Sequence, residues 1–289
     1  MSASQLSTQV QSEPDGLVPH LVIEPPSGWQ AMHLGEIWQF RDLLFSLAGR
    51  DLKLRYKQTA LGVVWVVLQP LMAAGVFSLV FGKIAKLPTD GVPYFIFSYT
   101  GLLGWNLFNN ILTRSSTCLV GNSHLISKVF FPRLVLPMSQ VCSALVDFGV
   151  ATAMLVVLMF IYHVTPGWGL LLLPVWMLML MMLSLGVGML AAAMTVSYRD
   201  VQYILPVAVN ILQFLSPIAY AASAVPASMK LYYHLNPLSG VLEIFRWSIL
   251  HTTAPASWTV IYSAAFSIAV LWIGAASFKQ MERKFADVI

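Results

Sequence analysis

Residues 50–70 read RDLKLRYKQTALGVVWVVLQP, from Arg50 to Pro70. Four cations, Arg50, Lys53, Arg55 and Lys57, stand directly before an apolar run that begins near Ala60. Basic residues beside the first long hydrophobic segment hold that end on the cytoplasmic side as the segment inserts. From this fixed point, everything downstream alternates across a bilayer. What precedes it has the pattern of a helix lying along the membrane surface.

The composition agrees with that start. Of 289 residues, 58% are hydrophobic and only 10% charged, and the mean hydropathy is +0.75. A soluble domain carries roughly 25% charged residues, so a soluble enzyme or binding module is excluded. The formal net charge of +4 is modest, and its cations gather at membrane flanks rather than on one patch. That arrangement suits anionic headgroups and topology control, not nucleic acid. Cys118 and Cys142 fall in or near apolar segments, which argues against a structural disulfide or a metal site. Residues 1–28 are polar and broken by Pro14, Pro19, Pro25 and Pro26, with no apolar core of a signal peptide. They are expected to form a disordered or loosely docked cytoplasmic tail.

Over residues 29–58 the pattern turns helical. Gln39, Asp42, Ser46, Arg50, Lys53 and Lys57 recur at three- or four-residue spacing as a narrow polar stripe, opposite Leu34, Ile37, Trp38, Leu44, Phe45, Ala48 and Leu52. A wide apolar arc with a cationic stripe predicts an amphipathic helix in the cytoplasmic interface. Residues 59–289 then form an all-α membrane domain of six spans, near 61–82, 94–117, 134–162, 169–196, 201–221 and 258–278. On the proposed inner side lie Arg41, Arg50, Lys53, Arg55, Lys57, Lys128, Arg133, Arg199, Lys279, Arg283 and Lys284, against Lys83, Lys86, Lys230 and Arg246 outside. This asymmetry places both termini in the cytoplasm. Between the fifth and sixth spans, residues 222–257 hold apolar pieces too short to cross, broken by Pro226, Pro237, Gly240 and Pro255. They read as outer re-entrant helices, whose backbone must be buried in protein or line a wet cavity.

Catalytic constellations are missing. The six histidines show no metal-ligand spacing, and no carboxylate pair sits at acid/base spacing within a span. Gly82-Lys83 is followed by Ile84 rather than Ser or Thr, so the chain has no phosphate loop and no ATP site of its own. An ATP-driven process would need another subunit. Asp147 is the one acidic residue placed inside the bilayer. It either bonds a neighbouring helix or serves as the proton site of a secondary carrier. Arg114, near the inner end of the second span, can snorkel to headgroups. Residues 121–137, GNSHLISKVFFPRLVLP, make a cytoplasmic loop with Leu125, Ile126, Val129, Phe130 and Phe131, more apolar surface than a solvated turn wants. A protein partner, or the chain's own amphipathic helix, would cover it. Tyr94, Phe97, Tyr99, Tyr220, Tyr232 and Tyr233 crowd the outer ends of the spans, either as an interfacial belt or as stacking surfaces for sugar rings.

RDLKLRYKQTALG at 50–62 and LQPL at 68–71 resemble the opening of the membrane subunit of type-2 ABC exporters for polysaccharides, the group that includes O-antigen, capsule and teichoic-acid exporters. Residues 122–137 resemble that family's coupling segment, with Lys128, Phe131, Pro132, Arg133 and Pro137 matching and Ser123 and Ser127 departing from it. NPLSGVLEIFR at 236–246 is similar to its outer re-entrant motif, with Asn236, Pro237, Glu243 and Arg246, and the end at 278–289 resembles its C-terminal signature. The resemblance implies a homodimeric channel in the bacterial inner membrane. It implies two copies of a separate ATPase that carry the ATP and magnesium and dock on Asn122, Leu125, Ile126, Lys128, Val129, Phe130, Phe131, Pro132 and Arg133. It also implies a polyprenyl-diphosphate-linked glycan as substrate. Arg50, Lys53, Arg55 and Lys57 lie where its diphosphate would arrive, since Arg recognises phosphate by paired donors and Lys as a point charge; pure topology control is the other role open to them. Export of a drug or lipid, and proton-coupled carriage through Asp147, are the alternatives.

Overall fold

The computed structural model describes residues 34–57 and 62–288. The tail expected over residues 1–28 and the first residues of the amphipathic helix lie outside the described residues. Every regular element among them is helical. Two helices, α1 (Leu34–Gln39) and α2 (Arg41–Lys57), precede α3 (Val64–Phe77), which runs on through wider π turns over Ser78–Ile84. Then come α4 (Tyr94–Gly121), α5 (Ser123–Lys128), α6 (Val135–Ile161), a 3₁₀ turn (Trp168–Leu172) leading into α7 (Leu173–Ser197), and α8 (Val201–Leu215). The chain finishes with α9 (Lys230–Leu235), α10 (Pro237–Leu250) and α11 (Ser257–Val288).

Four stretches are long and apolar enough to cross a membrane: Val64–Ile84, Val135–Ile161, Trp168–Ser197 and Ser257–Glu282. Two of the six expected spans differ. The second, α4, is long enough at 28 residues but interrupts its apolar surface with Asn106, Asn109, Asn110 and Arg114. The fifth was expected over 201–221, yet α8 stops at Leu215 after 15 residues. That is about 22 Å of helix, short of a hydrocarbon core of about 30 Å. The cause is Pro217: the residue before a proline is pushed out of the helical region, and Ser216 sits at φ −97 and ψ 150. Residues 216–219 and Ala221 continue as buried, non-helical backbone.

The core is organised around α4, which touches α3, α6, α7, α8 and α10. Its Trp105, Tyr99, Phe97 and Phe108 are among the largest fully buried side chains. On the far side α7 and α11 meet through bare backbone, because a Cβ on Gly274 would lie 2.1 Å from the Gly186 carbonyl oxygen. The exterior is apolar: Phe160, Ile161, Leu171, Val175 and Trp272 are all exposed. A belt of that kind suits hydrocarbon rather than water.

Candidate functional site

The site begins where α2 lies on α6. Leu44, Leu47 and Ala48 are the buried apolar residues of α2, and polar contacts flank them. Ser143 Oγ donates to the Ala48 carbonyl at 3.3 Å, and Gln140 Nε2 donates to Asp51 Oδ2 at 2.8 Å. Ala48, Asp51 and Arg55 recur at helical spacing on one face, as do Gln140, Ser143 and Asp147 on α6. The expected polar stripe therefore covers only part of the helix's chemistry. A second polar row, Asp51 and Arg55, faces the bundle, while Phe45 and Leu54 stay exposed.

At the top of this seam Asp147 is 5% exposed, and three donors converge on it. Oδ2 accepts from Arg55 Nη1 of α2 and, at 2.6 Å, from Arg114 Nη2 of α4. Oδ1 accepts from the Tyr56 hydroxyl. Burial and the Asp147 carboxylate push the Tyr56 pKa up to about 12, so this hydroxyl stays protonated and keeps donating at neutral pH. Arg114 does not snorkel as expected from sequence, because a buried carboxylate within reach is a stronger partner than distant headgroups. The same contacts make Asp147 a junction that ties α2 and α4 to α6.

Beside this knot a cavity of about 300 Å³ opens between α2, α3, α4 and α6. Its charged wall is Arg55, Arg114 and Asp147; its neutral polar wall is Gln69, Asn106, Asn109 and Asn110, with Trp65 at the side. Asn106, Asn110 and Arg114 are four residues apart and so share one face of α4. Asn109 Oδ1 and Arg114 Nη1 are buried with no hydrogen-bond partner. These amides went unnoticed in the sequence, although Asn106, Asn110 and Arg114 at four-residue spacing in an otherwise apolar helix were a readable signal.

The other expected site residues divide by exposure. In the segment around α5, expected on the cytoplasmic side, Val129 and Phe130 are exposed, at 49% and 71%, and Lys128 is exposed with them. Phe131, by contrast, is buried at 5% with Leu134, while Leu125 and Ile126 are half-buried against the core. Asn122 accepts from Arg50 Nη2 at 2.8 Å, and Arg133 Nη1 donates to the Glu282 carbonyl at 2.9 Å. So the segment's inner face is tied to α2 and α11, and Pro132 is half-buried. Of the four expected phosphate-capturing cations, Arg50 pairs with Asp51 at 2.8 Å and Arg55 with Asp147, while Lys53 and Lys57 are exposed.

Among the outer aromatics, Phe97 and Tyr99 are fully buried. Tyr99 donates to the Ala151 carbonyl at 2.9 Å, and the Arg246 guanidinium lies 3.9 Å from the Phe97 ring centre. Neither ring has a face left for a sugar. Tyr233 is buried and donates to Glu243, Tyr94 donates to the Ala219 carbonyl, Tyr220 is half-buried against Tyr233, and Tyr232 is 74% exposed. The 236–246 motif forms a capped helix: Asn236 Oδ1 accepts from the Leu238 amide at 3.1 Å and Pro237 takes the first turn. Arg246 is 2% exposed and donates to the carbonyls of Pro217 and, at 3.1 Å, Ile218. The close approach needs Gly101, where a Cβ would meet Arg246 Nη2 at 2.5 Å.

Known proteins similar in sequence cover most of the chain. Over 256 residues the chain is 29% identical to the O-antigen export system permease protein RfbA of Myxococcus xanthus, covering 88% of this chain and 98% of that protein. It is 27% identical over 253 residues to a protein of the same name from Klebsiella pneumoniae, covering 86% and 95%. It is 26% identical over 241 residues to the polysialic acid transport protein KpsM of Escherichia coli, covering 81% and 91%. The family profile described as ABC-2 type transporter matches residues 42–250. That span runs from the start of α2 to the end of α10, and with it this all-helical membrane chain belongs to the ABC-2 type transporter family.

Proposed function

We propose that the chain is the permease of an ATP-driven exporter that moves a polysaccharide, assembled on a polyprenyl diphosphate, out across a bacterial inner membrane with both its termini in the cytoplasm. The observation that carries this is coverage. Relatives named for O-antigen export and polysialic acid transport align over 81% to 88% of the chain, and the family match over residues 42–250 takes in α2, the segment around α5 and α10 together. Six crossings, with α8 completed by the buried backbone after Ser216 and α10 re-entering from outside, would make each half of a homodimeric channel. One reason to expect a second copy is α8 itself, on which Tyr203, Ile204, Val207, Ile211 and Phe214 are all exposed.

The energy source in this reading is a separate ATPase, two copies to a channel, binding ATP and magnesium and docking on Val129 and Phe130. Their exposure beside an inner face already tied to α2 and α11 supports a partner surface rather than a self-contained loop. Photocrosslinking from position 130 in native membranes, with mass spectrometry of the captured protein, tests it. Capture of a nucleotide-binding subunit is expected. Correct insertion without any captured ATPase would overturn the coupling assignment.

A further inference from the structure

Arg133 follows the exposed Val129 and Phe130 in the segment after α5, yet its own side chain is only 18% exposed. It is turned toward α11. Nη1 donates to the Glu282 carbonyl at 2.9 Å, and Nε lies 3.9 Å from the Glu282 carboxylate. Phe131, just before it, is buried in the core, so a shift of this segment must also move what it is packed on.

The helix it holds is suited to carry a displacement. α11 runs unbroken from Ser257 to Val288 with no proline in it, and proline is the usual cause of a sharp kink. Two neighbours meet it through bare backbone. A Cβ on its Gly274 would strike the Gly186 carbonyl of α7, and one on Gly240 of α10 would lie 2.8 Å from the Thr259 carbonyl. Such contacts contain no side chain that could yield. From Glu282 to Thr259 is about 35 Å of helix. Beyond that point α10 grips the backbone that follows α8. Asn236 Nδ2 donates to Ser216 Oγ at 3.2 Å, and Arg246 donates to the carbonyls of Pro217 and Ile218. The hydroxyls of Ser239 on α10 and Ser263 on α11 are buried without a partner, the second beside Gly240. An unsatisfied buried hydroxyl raises the energy of the packing that holds it, so the α10–α11 seam gains by moving to another.

We infer that Arg133 is a positioning residue that couples the α5 segment to α10 through α11. A push on the segment moves α11 as a rod, and α10 travels with it, carrying residues 216–218. Packed helices change between discrete arrangements rather than bending smoothly, which keeps the movement from dissipating along the way. The source of the push rests on the ATPase partner proposed above. What is added is that Arg133 serves α11 and not the partner's surface.

Hydrogen–deuterium exchange of the full chain, in nanodiscs with its ATPase partner, tests this. Exchange at residues 216–221 and over α10 is compared without nucleotide and with ATP and vanadate. The wild type is expected to change in both regions when nucleotide is trapped. Arg133→Ala is expected to keep the bound ATPase and its hydrolysis while losing most of that change. Arg133→Lys, which can still donate to a carbonyl, should restore part of it. A merely structural role would alter exchange equally with and without nucleotide. Ser263→Ala, which removes an unpartnered hydroxyl and so should fold well, is the second variant. It is expected to reduce the nucleotide-dependent change with hydrolysis intact. A wild type that hydrolyses ATP without any change at residues 216–221 overturns the inference. So does an Arg133→Ala variant with the full change or, should that variant fail to fold, a Ser263→Ala variant with it. Absence of a bound ATPase would overturn the exporter reading itself, which the capture at position 130 tests separately.

Discussion

At the scale of single residues, two arginines, one buried and one half-buried, explain much of how this chain is tied together. Arg246 reaches across from α10 to the carbonyls of Pro217 and Ile218 and lies over Phe97. These carbonyls belong to backbone that left the helix at Ser216, so they have no partners within a helical ladder. Replacing Arg246 by Ala strands them and is expected to cost about 3 kcal/mol, read as a lower thermal unfolding midpoint of the purified protein. Arg246→Lys should recover little, since a point charge cannot span two carbonyls as a planar fork does. Arg114 is the other case. From sequence alone it reads as a snorkelling residue; in the fold it meets a carboxylate 33 positions away.

Among the elements, helix crossings depend on where side chains are missing. The α7–α11 contact brings Gly186 and Gly274 together, and a Cβ on Gly186 would sit 2.6 Å from the backbone of Val270 and Leu271. Gly274→Ala is therefore expected to force the helices apart and destabilise the protein by about 2 kcal/mol or more. Gly149, exposed on α6 with nothing within 4 Å of its would-be Cβ, supplies the control. There Ala should stabilise by about 0.5–1 kcal/mol through helix propensity alone. Opposite shifts of the unfolding midpoint in the two variants would bear this out, and equal shifts would refute it. The position of α2 follows another rule. Its exposed Phe45 and Leu54 fit an interfacial placement, yet its Asp51 and Arg55 find partners on α6. Surface helix and docked helix are one element here.

For the whole molecule, the apolar exterior has two destinations, lipid and another protein chain. On α8 only Val209 is buried, and its exposed face carries aromatic as well as aliphatic side chains. In the proposed dimer that face meets a second copy. Ile211→Asp, a charge in the middle of the face, is expected to shift the purified protein from dimer to monomer by mass photometry while leaving membrane insertion unchanged. An unaltered dimer would move the interface elsewhere.

Much of the architecture was legible in the chain because hydropathy and helix length are local properties. The cations before residue 60, the long apolar runs, the Pro-broken outer segment and the exposed Phe130 are all consequences of short stretches of sequence meeting a bilayer. Even the shortfall of α8 traces to one local cause, the residue before Pro217. The candidate site was another matter. Asp147 was visible as an intramembrane carboxylate, but its donors come from positions 92, 91 and 33 residues away. Which of them reach it depends on how α2, α4 and α6 are rotated about their axes. Burial of Phe97 and Tyr99, which removed them as glycan surfaces, likewise depends on α10 and α6 packing against α4. Sequence by itself determined a polytopic membrane helix bundle, because transfer of each segment into hydrocarbon is decided residue by residue. Only the tertiary structure decided where its charges meet, because a charge pair depends on distances that no single segment contains.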